Sequence, residues 1–146
     1  MIDVSAKVEQ ARQHFESGRA EQARVLLTRA LAQNPGHPDL SNALSLVLLG
    51  MGQLDLAIYH AQRAVQGRPR DAGFSQNLGI ALAKASRPDE SRVAFEQAIA
   101  LDPSNVGSRL AYSELLRQVY CFGDAVDQLR EAIDIQPRDP DLWSSL

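Results

Sequence analysis

The sequence predicts an all-α protein, an α-solenoid in which antiparallel helix pairs stack into a right-handed superhelix. The first observation is a set of prolines at equal intervals of 34 residues: Pro35, Pro69, Pro103 and Pro137. The second is that alanine keeps the same period, five residues before each of those prolines: Ala30, Ala64, Ala98 and Ala132. A fixed period of this length indicates an array of supersecondary units, none of which can bury its apolar face alone.

The period divides residues 1–146, taken as a single domain, into four repeats and a short final segment. The repeats are 4–37, 38–71, 72–105 and 106–139, and 140–146 follows them. Each repeat is predicted to form two helices. In the third, Phe74, Leu78 and Leu82 are spaced at i, i+4 and i+8, and Phe95 and Ile99 repeat that spacing in the second half.

Turn residues separate the two helices of each repeat. Gly18 and Gly52 occupy the same position in the first two repeats, where glycine suits a helix C-cap because it reaches positive φ at little steric cost. Ser86 and Tyr120 stand at that position in the later repeats. We therefore expect the later turns to close in a different way.

The third repeat resembles the tetratricopeptide repeat, whose pattern combines Leu-Gly, an aromatic residue, alanine and a closing proline at this period. The matching residues are Asn77-Leu78-Gly79, Phe95, Ala98 and Asp102-Pro103. The first and fourth repeats depart from it, with Gln10-Ala11 and Tyr112-Ser113 at the Leu-Gly position. The resemblance covers nearly the whole chain, and it implies a protein that binds other proteins or peptides on a concave surface.

Composition excludes several other classes. The net charge is −3 and there is no basic tract, so the sequence does not predict nucleic-acid binding. No apolar run approaches the length of about 18 residues that membrane insertion requires. The N-terminus has no signal-peptide character and the chain has a single cysteine, Cys121. Cytoplasmic localisation is the simplest interpretation.

Candidate catalytic residues are missing from the pattern. His14, His37 and His60 are not spaced as metal ligands, and Cys121 has neither a CxxC partner nor a neighbouring base. We predict no catalytic, metal or cofactor site, and therefore no enzyme activity within this chain.

The resemblance implies that one stripe of each first helix lines the concave groove. The candidate partner-binding residues on that stripe are Arg12, Asn42, Leu46, Leu49, Gln76, Asn77, Ile80, Lys84, Leu110, Glu114 and Arg117. Asn77, directly before Leu78-Gly79, stands where groove-binding relatives place an asparagine, and its amide can pair with a peptide backbone. The alternative is a solvated surface amide. Leu46 and Leu49 either form an exposed apolar patch or are covered by the adjacent helix.

The last segment resembles the opening of a fifth repeat, with Trp143 at the position of the family tryptophan. Leu129 and Ile133 on the last complete helix need cover. We expect the chain to be a fragment of a longer protein, in which a fifth repeat covers them. The alternative is that the short helix of residues 140–146 is itself the cap, with Trp143 folded onto Leu129 and Ile133.

Three functions follow as hypotheses. The first is a protein-binding module whose groove receives a peptide or a partner helix. The second is the N-terminal substrate-recruiting arm of a larger enzyme, resembling the arms of O-GlcNAc transferases and repeat-bearing sulfotransferases. The third is a scaffold that self-associates through its C-terminal end. Capture of a C-terminal carboxylate is not predicted, because of the five positions of the co-chaperone carboxylate clamp only Asn77 matches.

Overall fold

A computed structural model describes residues 3–146, and within them the chain forms nine α-helices joined by short turns. They are α1 (Val4–Glu16), α2 (Ala20–Gln33), α3 (Pro38–Gly50), α4 (Leu54–Gly67), α5 (Ala72–Lys84), α6 (Pro88–Leu101), α7 (Val106–Gln118), α8 (Phe122–Ile135) and α9 (Pro140–Ser145). The predicted all-α solenoid is therefore confirmed. We call α1, α3, α5 and α7 the first helices and α2, α4, α6 and α8 the second helices.

Each first helix packs against the second helix that follows it, and each second helix packs against the next first helix. The first helices also contact one another in sequence, α1 with α3, α3 with α5 and α5 with α7. The starts of the first helices, at Val4, Pro38, Ala72 and Val106, are separated by the 34 residues of the sequence period. We use these starts to divide the array into units.

Side-chain caps fix where three of the first helices begin. Asp3, Asp71 and Asn105 each accept a hydrogen bond from the N–H three residues on, which satisfies one of the unpaired donors of the first turn. His37 occupies the same position before α3 without a side-chain cap, and Pro38 follows it. Proline suits the first helical position because the N–H it lacks would have had no partner there.

The turns inside all four units close in the same way. Gly18 and Gly52 have φ of 75°, and Ser86 and Tyr120 also lie at positive φ, 57° and 62°. In every case the N–H of this residue donates to the carbonyl three residues back, and the next N–H donates to the carbonyl five residues back. This is the Schellman arrangement. The expectation that the two later turns differ is wrong, because the same hydrogen bonds hold non-glycine residues in that conformation.

Small residues allow the two helices of a unit to approach closely. The eighth residues of the units are Ala11, Ser45, Gly79 and Ser113, and the twentieth are Ala23, Ala57, Ser91 and Ala125. All eight are buried. In the second unit Ser45 Oγ donates to the Ala57 carbonyl over 2.7 Å, and in the third Ser91 Oγ donates to the Gly79 carbonyl over 2.7 Å.

The alanine column five residues before each proline is equally tight. Ala64, Ala98 and Ala132 are fully buried, and Ala30 retains 3% exposure. These side chains leave space that leucines and aromatic rings of the neighbouring helices fill. The buried residues form successive clusters along the array.

An arginine joins the second unit to the third. The guanidinium of Arg68 makes two hydrogen bonds with the carboxylate of Asp39, over 2.9 and 2.8 Å, and lies 5.2 Å from the ring centroid of Phe74. The side chain therefore spans from the start of α3 to the start of α5. This contact joins two successive first helices at their N-terminal ends.

The short helix α9 covers the end of α8. Leu142 is 1% exposed and clusters with Ala132 and Ile133. Leu129 and Ile133 are 3% and 6% exposed, so both are buried in this structure without a fifth repeat. Trp143 does not supply the cover, because its side chain is 56% exposed and its Nε1–H donates to the Pro137 carbonyl over 3.1 Å.

Replacing Ser86 by glycine is expected to raise the free energy of unfolding by about 1 kcal/mol, because glycine reaches this φ without steric cost. Urea unfolding measures the change. Gly52→Ser is the matched control, since a Cβ at Gly52 meets no atom within 4 Å and only its φ of 75° opposes the change. It should lose a similar amount. A destabilised Ser86→Gly chain would contradict this account of the turn.

Replacing Ala98 by leucine is expected to lower the free energy of unfolding by about 1–3 kcal/mol, because a larger side chain overpacks the helix pair. Ala100→Leu, at an exposed position of the same helix, is the control and should have little effect. Thermal unfolding of the two variants gives the comparison. Equal midpoints would show that Ala98 does not lie in a tight contact.

Candidate functional site

The four first helices lie in a row, and all the predicted groove residues belong to them. We call the side of the row that carries these residues the first-helix face. They do not all have the same environment, and their contacts decide which are available to a partner.

Two asparagines on adjacent helices bind each other on this face. Asn77 Nδ2 of α5 donates to Asn42 Oδ1 of α3 over 3.0 Å, and both side chains are half-buried. Asn77 is therefore not a freely solvated amide. The amide of Asn42 and the oxygen of Asn77 keep hydrogen-bonding capacity that no contact among residues 3–146 uses.

A second polar contact links the next pair of first helices. Ser108 Oγ of α7 donates to Gln76 Oε1 of α5 over 2.9 Å. Gly107 lies beside the Gln76 amide, since a Cβ placed there would be 3.4 Å from Gln76 Nε2. The absence of a side chain at Gly107 leaves room for this link.

An apolar pocket of about 340 Å³ opens between α1 and α3. Val8, Phe15 and Leu46 form its walls, and Leu27 reaches it from the second helix α2. Leu46 is 42% exposed, so the adjacent helix does not cover it. The ring of Phe15 lies over Gly50, where a Cβ would come within 2.3 Å of Phe15 Cζ. Glycine at that position permits the ring to cross between the helices. We call this the α1–α3 pocket.

A second pocket of about 340 Å³ opens between α5 and α7. Ile80, Ala111 and Leu115 line it, together with Phe95 from the second helix α6. Phe95 also packs over Gly79, where a Cβ would lie 2.9 Å from its ring. The polar rim consists of Lys84, Glu114 and Gln118. We call this the α5–α7 pocket.

The charged side chains at the α1–α3 pocket are already paired. Arg12 makes ion pairs with Glu9 and Glu16 on its own helix. Its hydrogen bond lowers the pKa of Glu9 to about 2. Asp39, on the opposite rim, is held by Arg68. These exposed pairs are worth little to stability, but they leave the rim without an unpaired cation.

Charges at the α5–α7 pocket differ. Glu114 pairs with Arg117 at 3.4 Å and accepts a hydrogen bond from Gln118. Lys84 is exposed at the rim and has no ion-pair partner among residues 3–146. This pocket therefore carries a cation that can interact with a ligand.

Two of the predicted groove residues contribute mainly to packing. Leu49 and Leu110 are half-buried and pack against the clusters beneath the face, whereas Ile80 both packs there and lines the α5–α7 pocket. Leu27 and Phe95 were missed, because both lie on second helices and reach the pockets only through the helix packing. For Phe95 the sequence did hold a signal, since an aromatic residue and the Leu-Gly glycine occur together in the same unit.

Two structural findings concern other classes of site. Within residues 3–146, no group of three or more His, Cys, Asp or Glu side chains could hold a metal ion. Over the same stretch, none of the helices combines the length and apolar character needed to cross a bilayer.

Comparison with known families gives two matches. Family models described as tetratricopeptide repeat match residues 14–58 and residues 77–140. Among curated proteins, a TPR repeat-containing protein of Pseudomonas aeruginosa is 31% identical over 113 residues, covering 76% of this chain and 45% of that protein. The rhomboid protease GluP of Bacillus subtilis is 30% identical over 80 residues, covering 55% of this chain and 16% of the protease.

A solved structure extends the likeness to the fold. The crystal structure of YrrB, described as a TPR protein with an unusual peptide-binding site, matches with a TM-score of 0.82 and 24% identity, covering 92% of this chain and 70% of that one. The chain spans less than half the length of the curated relatives it matches. On its repeat period, its helix pairs and these matches, the chain belongs to the tetratricopeptide repeat family.

Proposed function

We propose that the chain is a protein-interaction module whose first-helix face, which we take as the concave side of the array, receives an extended peptide segment of a partner. Tetratricopeptide repeats are in general interaction modules without catalytic activity of their own. The observation that carries the proposal for this chain is the hydrogen-bonded pair of Asn42 and Asn77 between two apolar pockets.

The amide pair is suited to a peptide backbone. One N–H of Asn77 is used by Asn42, which leaves the N–H groups of Asn42 as donors and the oxygen of Asn77 as an acceptor. An extended peptide offers both a C=O and an N–H that need partners. A helical ligand has already satisfied most of those groups within itself. The mutual hydrogen bond also orients both amides before a ligand arrives, which lowers the entropy lost on binding.

The relatives support a peptide ligand only by analogy. YrrB is described as having an unusual peptide-binding site, and its fold is shared over most of this chain. At 24% identity, nothing about individual contacts transfers to this chain.

A second candidate is a recruiting module joined to a catalytic domain. The match to the rhomboid protease GluP supports it, because a segment similar to this chain occurs in a protein named as an enzyme. In this case the same face binds the partner, and the chemistry takes place elsewhere. A third candidate is self-association, which the exposed side chains of Trp143 and Leu146 at the C-terminal end support.

Asn77→Ala is expected to weaken peptide binding about 2- to 10-fold, the usual net value of one lost hydrogen bond. The ligands are peptides selected from a random library on the wild-type chain, and isothermal titration calorimetry measures their affinities. Asn42→Ala should have a similar effect. The double variant should lose less than the sum of the two, because the residues orient each other.

Gln62→Ala is the matched control, since Gln62 is an exposed amide on the second helix α4. It should bind the selected peptides as the wild type does. The unfolding free energy of Asn77→Ala should fall by about 1 kcal/mol or less. Unchanged affinities for both asparagine variants would overturn the proposal.

Trp143→Glu is expected to shift any self-associated species toward monomer, because it places a charge on the exposed surface of α9 while leaving the buried Leu142 in place. Sedimentation velocity over a concentration series measures the distribution. Ser145→Glu, which adds the same charge to the same helix, is the control. A wild-type chain that stays monomeric up to submillimolar concentration would exclude self-association by this route.

A further inference from the structure

We infer that the partner segment carries two bulky apolar side chains about six residues apart, with an acidic residue beside one of them. This inference rests on the proposed function and specifies the ligand of the same face. It follows from the two pockets, the distance between them and the charges on their rims.

The two pockets are equal in volume, about 340 Å³ each, and both have apolar floors. Val8, Leu27 and Leu46 line the first, and Ile80, Phe95 and Leu115 line the second. Burial of one large apolar side chain in each would provide most of the affinity. Small or polar side chains would leave the pockets unfilled.

The separation between the pockets sets the spacing in the ligand. The α1–α3 pocket and the α5–α7 pocket are two helix spacings apart, and packed helices lie about 8–10 Å apart. The second pocket also lies nearer the C-terminal ends of its helices, since Lys84 and Gln118 are the last residues of α5 and α7. The combined distance is about 20 Å, which six residues of extended chain span.

Side chains alternate in direction along an extended chain, so the two apolar residues of the ligand must be an even number of residues apart. Successive side chains of a strand point to opposite sides, so residues that enter two pockets on one face must be an even number apart. A spacing of about five residues would direct the second side chain away from the protein. Asn42 lies on the rim of the first pocket, so the amide pair can hold the backbone next to the first apolar residue.

The charge preference comes from Lys84. At the rim of the α1–α3 pocket Arg12 is already paired with Glu9 and Glu16, and Asp39 is paired with Arg68. Lys84, at the α5–α7 pocket, has no such partner within residues 3–146. An acidic residue next to the second apolar side chain would complete an ion pair there.

The test uses the 146-residue chain and a series of synthetic peptides. Each peptide has two phenylalanines in a serine-threonine background, spaced four, five, six, seven or eight residues apart, with glutamate next to the second phenylalanine. Both chain directions are made. Fluorescence anisotropy measures affinity. We expect the spacing of six to bind at least about tenfold more tightly than five or seven, since one buried aromatic ring is gained.

Substitutions at two exposed residues show which phenylalanine enters which pocket. Peptides with alanine in place of one phenylalanine measure the contribution of that ring to affinity. Leu46→Asp should abolish the contribution of the first phenylalanine and leave that of the second unchanged. Lys84→Glu should weaken the glutamate peptide and strengthen its lysine counterpart, and high salt should reduce both effects. Arg63→Glu, exposed on the second helix α4 and away from this face, is the charge-matched control for Lys84.

The outcomes separate this inference from the proposed function. The synthetic peptides could depend on Asn42 and Asn77 and yet bind with equal affinity at all spacings. That result would overturn the two-pocket ligand and leave the proposed peptide-binding face in place. Selected peptides with apolar residues at helical spacing would overturn it in favour of a helical partner. Peptides that bind independently of the asparagines, Leu46 and Lys84 would overturn both.

Discussion

The close approach of the two helices within each unit is the contact on which the rest of the structure depends. Ser45 and Ser91 donate directly to the carbonyl of the facing helix, which requires the two backbones to be very near. The eighth and twentieth residues of every unit, where the two helices cross, are Ala, Ser or Gly. A larger residue would force the helices apart and remove the burial of the side chains around them.

This approach also creates the pockets of the first-helix face. Because the helices of a unit are close, Leu27 and Phe95 on the second helices extend through to the spaces between the first helices. Two glycines also admit aromatic rings at these helix contacts. Gly79 lets Phe95 lie against the helix backbone within one unit, and Gly50 lets Phe15 reach from the first unit to the second. The apolar floor of each pocket is therefore a product of backbone proximity.

Polar contacts between units keep the row of first helices in register. Arg68 connects α3 with α5 at their N-terminal ends, and the Asn42–Asn77 hydrogen bond joins the same two helices further along. The Gln76–Ser108 hydrogen bond joins α5 with α7. Such contacts add little to stability singly. Their value is geometric, because a groove binds a ligand well only when its donors and pockets are already in place.

The sequence by itself determined the repeat, the helix pairs, the periodic alanines and the family, because these depend on period and on residue size. It also placed Asn42 and Asn77 among the groove candidates. It did not reveal that they bind each other, since that depends on the rotation of two helices whose residues are 35 positions apart. The positive φ of Ser86 and Tyr120 likewise follows from hydrogen bonds that overrule local preference. Tertiary packing alone decided that Leu142 rather than Trp143 covers Ile133, because both are apolar and only the orientation of α9 distinguishes them.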